Sequence, residues 1–242
     1  MLKNGSFTEG WKDVQAPYGH LINQEPNGWK LRWLDVGEDL FGSGDKATGV
    51  PECVHKLARQ LPPNEQLGAP DALILEGDTT YKIFSANAAF GAELSQTVTG
   101  LQPGSTAKLR TPILVVLYKE TDPYGAESGV WINGEGHWVN SRDMGGNRKW
   151  YTHETEATVP ANGTIEIVIR VKSKWQNPKD FFIDGIKLEA VAASSAPPTP
   201  PPSSGNVLRV RVPDGMHVRT LTGDNPHLII ITVPSGTQIE YD

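Results

Sequence analysis

Between Ala192 and Gly205 the chain reads AASSAPPTPPPSSG, five prolines in a background of serine, alanine and threonine. Proline has no backbone N–H to donate and holds φ near a single value, so the segment suits neither a helix interior nor a central strand. It favours extended polyproline II at about 3.1 Å per residue and acts as a semi-rigid spacer. The 242 residues therefore divide into 1–191, the spacer 192–205, and 206–242. The first piece is long enough to bury a core. The last is shorter than a domain that usually stands alone.

Strand signals recur within 1–191. Leu73–Leu75, Tyr81–Phe84, Glu93–Thr99, Leu109–Tyr118 and Thr164–Lys172 are short, rich in β-formers and bounded by turn residues. In the last of these, Ile165, Ile167, Ile169 and Val171 alternate with mostly polar residues, which predicts one buried face. Pro160-Ala161-Asn162-Gly163 ahead of it predicts a hairpin turn, and Leu101-Gln102-Pro103-Gly104 a second turn. Pro51–Leu61 places Val54, Leu57, Ala58 and Leu61 at i, i+3, i+4 and i+7 behind a proline, the pattern of a short helix. With 25 glycines and 19 prolines, the fold class is all-β.

A net charge of -6 with no basic run excludes nucleic acid and acidic membrane surfaces as partners. No apolar stretch approaches the roughly 18 residues of a membrane span, and no signal peptide is visible. The single cysteine, Cys53, leaves no internal disulfide framework. The chain carries no His-Glu-x-x-His, no Gly-x-Ser-x-Gly and no phosphate loop, and Cys53-Val54-His55 lacks further metal ligands. A glycosidase needs two opposed carboxylates roughly 5 to 10 Å apart. Glu93, Glu154, Glu156 and Glu166 are available, and nothing in the sequence picks a pair. The chain reads as non-catalytic.

Three segments carry a resemblance. Asn4-Gly5-Ser6-Phe7, Phe181-Phe182-Ile183-Asp184-Gly185-Ile186-Lys187-Leu188, and Leu94-Ser95-Gln96-Thr97-Val98 with Gly100-Leu101-Gln102-Pro103-Gly104 resemble the first strand, last strand and middle hairpin of jelly-roll carbohydrate-binding modules similar to families 4, 9 and 22. The resemblance covers about residues 3–190. It implies a galactose-binding-like β-sandwich jelly roll for 1–191. It also implies a polysaccharide or cell-wall glycan as partner, a role in targeting or anchoring a larger protein, and an extracellular or cell-surface location. Sugar rings stack on flat aromatic faces, so Trp33, Trp138, Trp150 and Trp175, beside turns and polar segments, are the candidate platform, while Trp29 is expected in the core. Asn87, Gln96 and Arg170, with Arg32 and Glu93, are candidate hydrogen-bonding partners. The resemblance further implies a structural calcium between the first and last strands, held at Ser6, Glu76, Thr79 and Asp184. Thr8 stands where a glutamate is usual, which removes one charged ligand. The alternative is that Asp184 caps a turn and binds no metal.

After the spacer, Val207–Val212, Gly215-Met216-His217-Val218-Arg219-Thr220 and Val233-Pro234-Ser235-Gly236-Thr237 resemble a bacterial SH3-like domain, with His217 where asparagine is usual. The chain stops at Asp242, before the last strands of such a barrel, so 206–242 is a partial SH3-like β-barrel with an open edge. That edge implies a possible homodimer through the C-terminal strands. Two other function classes stand beside glycan binding: a structural module assembling through the unfinished barrel, and a jelly-roll glycoside hydrolase or lyase.

Overall fold

A computed structural model describes residues 1–16, 18 and 21–191. The spacer, the SH3-like segment and the homodimer expected from it lie outside the described residues. Thirteen strands are present: β1 (Trp11–Val14), β2 (Asn23–Pro26), β3 (Lys30–Trp33), β4 (Glu52–Leu57), β5 (Thr79–Ser85), β6 (Phe90–Val98), β7 (Thr106–Val116), β8 (Ala126–Ile132), β9 (Glu135–Asn140), β10 (Trp150–Thr158), β11 (Ile165–Ser173), β12 (Lys179–Ile183) and β13 (Lys187–Val191). They form two sheets. One runs β1-β2-β4-β5-β12-β7-β10 with β13 also on β7, the other β3-β6-β11-β8-β9. The described residues are thus an all-β sandwich whose chain passes repeatedly from one sheet to the other, in the jelly-roll manner.

The alternation in β11 sets the core. Ile165, Ile167, Ile169 and Val171 are buried and meet Val130 and Ile132 of β8, Leu94 and Val98 of β6, and Leu109, Ile113 and Val115 of β7. β12, between β5 and β7, is buried along its whole length, because the outer face of its sheet is also covered. There Leu114, Val116 and Phe182 pack against Leu61 and Leu73 of the β4–β5 connection and against Trp150.

Five expectations are corrected. Pro51–Leu61 is strand β4 followed by a single 3-10 turn at Ala58–Gln60. Its pairing with β5 from Glu52↔Phe84 to Leu57↔Thr79 outweighs a helical pattern that local propensity supports only weakly. Leu73–Leu75 is loop, buried at Leu73 and Ile74. Pro160–Gly163 does form a turn, with Gly163 N–H donating to Pro160 O at 2.9 Å, but it joins β10 to β11 in the opposite sheet. The β6–β7 connection crosses in the same way, so neither is a hairpin. Asn4–Phe7 is likewise a turn and not a first strand. It still meets the closing segment, since Ile186 N–H donates to Gly5 O at 2.9 Å, and a side chain on Gly5 would run into the Ile186 carbonyl.

Candidate functional site

The outer face of the five-stranded sheet gathers the chemistry. Asn133 and Gly134 both have positive φ, 51° and 84°. They make the two-residue turn between β8 and β9 and set the register Trp131↔Gly136 and Gly129↔Trp138. With Val130 and Ile132 in the core, period-two alternation puts Trp131 and Trp138 together on the outer side. Their rings meet edge to face at 5.1 Å between centroids. A Cβ at Gly136 would come 2.6 Å from the Trp131 Cδ1, and one at Gly129 2.8 Å from its Cζ3. Both ends of the indole therefore lie against the strand backbone, and only glycine leaves room for it.

The same face carries an ordered charge row. β11 presents Arg170 and Lys172. Arg170 Nε donates to Glu93 of β6 at 2.6 Å, and Lys172 Nζ pairs with Glu127 of β8 at 3.0 Å. The Arg170 guanidinium sits 5.0 Å from the ring of Trp131 and 5.0 Å from that of Phe41, and Lys172 Nζ lies 4.2 Å from the Trp138 ring. Such cation–π contacts hold rings and charges in one arrangement. Phe41 comes from the β3–β4 connection, whose Leu34, Leu40 and Ala47 pack with Ala89. Phe41 is held at φ 56°, a left-handed conformation costing roughly 1–2 kcal/mol for an L-residue. Asp39 accepts from Gly42 N–H at 2.5 Å and Gly44 N–H at 3.1 Å and so fixes the turn. The result places the Phe41 ring 5.6 Å from Trp138.

Three of the seven tryptophans bond their indole N–H inside the protein. Trp29 donates to Asn4 O at 3.2 Å, Trp150 to Ala72 O at 2.8 Å and Trp175 to Asp122 Oδ2 at 2.7 Å. Trp11, Trp33, Trp131 and Trp138 make no such bond among the described residues. Trp29 lies in the core, as expected.

Solved structures resemble the chain at low identity, while no family model and no curated protein matches it. A family 61 carbohydrate-binding module in complex with β-1,4-galactotriose is 16% identical, with 78% of this chain and 97% of that one covered and a TM-score of 0.49. The enzymatically active domain of tailspike protein 4 from bacteriophage CBA120 is 11% identical over 78% of this chain and 21% of that one, TM-score 0.46. The CBM22-1 xylan-binding domain of Xyn10C from Paenibacillus barcinonensis is 12% identical over 78% and 94%, TM-score 0.35.

Of the candidate residues, Trp138 and Arg170 are on this face together, with Glu93 of β6; Arg32 follows on β3, paired across to Glu93. The others are elsewhere. Trp33 is not on a loop: it ends β3, partly buried against the core. Trp150 is in β10 and anchors the β4–β5 connection from the opposite sheet. Gln96 is buried because it points inward and clamps Lys3, accepting its N–H at 2.7 Å and donating to its carbonyl at 3.0 Å. Trp175 is exposed on the β11–β12 connection with Lys174 over its ring. Asn87 is exposed between β5 and β6. Phe41, Trp131, Lys172 and Glu127 complete the face and were not candidates.

Of the four calcium positions, the Asp184 carboxylate and the Ser6 and Thr79 hydroxyls are bonded within the protein, while the Glu76 carboxylate is half exposed, 3.7 Å from Lys187 Nζ. Asp184 accepts from Leu75 N–H (2.6 Å) and Glu76 N–H (3.0 Å) on Oδ2 and from Gly185 N–H (2.7 Å) on Oδ1. Burial pushes its carboxyl up to about 7 against those bonds. Ser6 Oγ is bonded to Thr8 Oγ1 at 3.1 Å, and Thr79 Oγ1 to Asp78 at 2.9 Å. Among the described residues no three acidic, histidine or cysteine side chains are grouped as a metal would need. Three N–H groups aimed at Asp184 take up lone pairs that a divalent cation at this carboxylate would compete for. Asp184 ties the end of β12 to the β4–β5 connection.

Of the four carboxylates weighed for hydrolysis, only Glu154 and Glu156, two residues apart on one face of β10, stand within the separation a glycosidase needs, roughly 7 Å at strand spacing. Glu154 and Glu156 pair with Arg110 and Lys108 across β10 and β7, in the sheet opposite to Glu93. Glu166 shares β11 with Arg170, the partner of Glu93, but lies four residues along it, roughly 13 Å at strand spacing. Among the described residues no helix is long and apolar enough to cross a membrane.

Proposed function

We propose that the described domain is a non-catalytic glycan-binding module whose site is the outer face of the five-stranded sheet. The observation that carries this is the Trp131–Trp138–Phe41 cluster, seated over Gly129 and Gly136, with two unbonded indole N–H groups and Arg170 fixed between aromatic faces. A pyranose stacks on the exposed indole surface through its C–H groups. Its hydroxyls then meet the guanidinium and ammonium donors of Arg170 and Lys172 and the acceptors of Glu93 and Glu127. Those four charges are already paired across neighbouring strands, so little ordering is left to do on binding. An open face of this kind suits a chain of sugar units, and a module of modest affinity gains from attachment to a second binder. Targeting of a larger protein to a polysaccharide or cell-wall glycan outside the cell follows as its use.

The test is a glycan array with insoluble-polysaccharide pull-down, peptidoglycan included, on wild type and on Trp131→Ala and Trp138→Ala. Each variant should lose binding at least tenfold, about 1.4 kcal/mol, while remaining folded by circular dichroism. Binding that survives in both variants would move the site away from this face.

A further inference from the structure

We propose that a cavity on the outer face of the eight-stranded sheet, on the far side of the core from the aromatic cluster, binds a single acidic sugar residue of the hexuronate class. This stands independently of the glycan-binding face. The cavity, about 230 Å³, is lined by β4, β5, β7, β12 and the β4–β5, β7–β8 and β9–β10 connections, below the range typical of drug-sized ligand sites and suited to one monosaccharide. Its apolar floor is Phe182, Val116 and Leu73. Tyr118, 58% exposed and at φ 48°, stands at the rim as an aromatic wall.

The polar groups are arranged but not used up. Lys82 Nζ (2.8 Å) and Tyr118 Oη (2.9 Å) both reach the same oxygen of Asp180, Oδ2. Oδ1 has no partner among the described residues, although the side chain is only 9% exposed. Burial, then the hydrogen bond to Asp180, pushes the Tyr118 phenol up to about 12, so it stays a donor. Across the cavity Arg148 Nη2 meets Glu65 Oε1 at 2.7 Å and leaves Oε2 open.

Three cations (Lys56, Lys82, Arg148) line the space against two carboxylates (Glu65, Asp180). The uncompensated one is Lys56, which has no ion pair among the described residues. A neutral sugar would satisfy the open acceptors and leave that ammonium unmatched; a sugar bearing one carboxylate satisfies both. The wall is built in advance. Trp150 Nε1 bonds Ala72 O at 2.8 Å, Leu73 N–H bonds Glu65 O at 2.8 Å, and Asn64 Nδ2 bonds Asp71 at 3.0 Å, so the covering loop needs little reordering.

The experiment is ¹⁵N-resolved NMR titration of the full chain with sodium glucuronate and galacturonate, against glucose, galactose and sodium acetate. The expected result is saturable shifts around Tyr118 and Lys56 with a uronate, at least about tenfold weaker with neutral sugars and with acetate. Lys56→Met should weaken uronate binding about tenfold, Tyr118→Phe should weaken it too, and Trp131→Ala should leave it unchanged. No shifts with either uronate up to ~20 mM, equal response to acetate, or loss of the shifts in Trp131→Ala would overturn the proposal.

Discussion

Replacing Lys179 by methionine tests how the loops at one end of the sandwich are held. The Lys179 side chain is 0% exposed and that of Glu120 4%, with Nζ 2.9 Å from Oε2. The ammonium also donates to Trp175 O and Asn177 O, both at 3.2 Å, so all three of its protons are placed. Glu120 accepts from Asn177 Nδ2 at 3.1 Å and from Thr121 and Asp122 N–H at 3.0 Å each. Burial by itself raises the Glu120 carboxyl, but the bonds from Lys179, Asn177 and Asp122 outweigh it and hold it below the usual carboxylate range. Methionine fills similar volume and removes the charge, which leaves a carboxylate shut from water without its counter-ion. Breaking one side of such a pair costs about 3–5 kcal/mol. At a urea dependence of about 2 kcal/mol per molar the midpoint falls by roughly 2 M, and the melting temperature by about 10 °C or more. Urea unfolding followed by tryptophan fluorescence measures it. Lys179→Met combined with Glu120→Gln should recover part of the loss, because no charge is then stranded. A loss under about 1 kcal/mol in the single variant, or no recovery in the double, would refute a buried pair.

The remaining expectations use other parts of the molecule. Burial holds His55 at about 4, and burial together with His137 holds His153 at about 4, against an ordinary 6.5. The unfolded chain therefore takes up these protons first, and each contribution, roughly 3 kcal/mol, is full above pH 6.5 and lost as pH falls towards 4. Asp184, raised to about 7 from 3.8, acts in the opposite sense and loses stability as pH rises between those values. Two imidazoles against one carboxyl leave a net loss of about 1–2 kcal/mol between pH 7 and pH 5; urea midpoints should fall accordingly, and His153→Gln should make the profile nearly flat. Gly136→Ala drives a methyl into the Val130 carbonyl and the Trp131 indole, so it should disturb the β8–β9 pairing, lowering the melting temperature and weakening glycan binding in pull-downs together. Millimolar calcium should move the melting temperature by less than about 1 °C, whereas a site occupied at a thousand times its dissociation constant would add about 4 kcal/mol and raise it by roughly 8 °C or more.

The core was legible wherever one face of a strand is buried. The isoleucines of β11 alternate, and the pattern gave both strand and facing. It failed where tertiary contacts decide. Cys53 and His55 face Ile83 and Tyr81 across β4 and β5, a partnership that no local spacing in Pro51–Leu61 announces. Turn chemistry also misled in one place and went unused in another. Asn162-Gly163 turns the chain between sheets, while Asn133-Gly134 makes the two-residue hairpin. Counting outward from that second turn pairs 131 with 136 and 129 with 138, which puts Trp131 and Trp138 on one face from sequence alone. Trp33, Trp150 and Gln96 had no such signal, because flanking turn residues and polarity do not say which way a side chain points. Phe41 joins the face through a left-handed residue in a long connection, and nothing local marks it.

The most direct measurement is polysaccharide binding by wild type beside Trp131→Ala, Trp138→Ala and, as the control away from the face, Trp175→Ala on the β11–β12 connection. Loss of at least tenfold is expected in the first two and wild-type binding in the third, with all four proteins folded by circular dichroism. Equal binding by all four, or a loss confined to Trp175→Ala, would contradict a site on the five-stranded sheet.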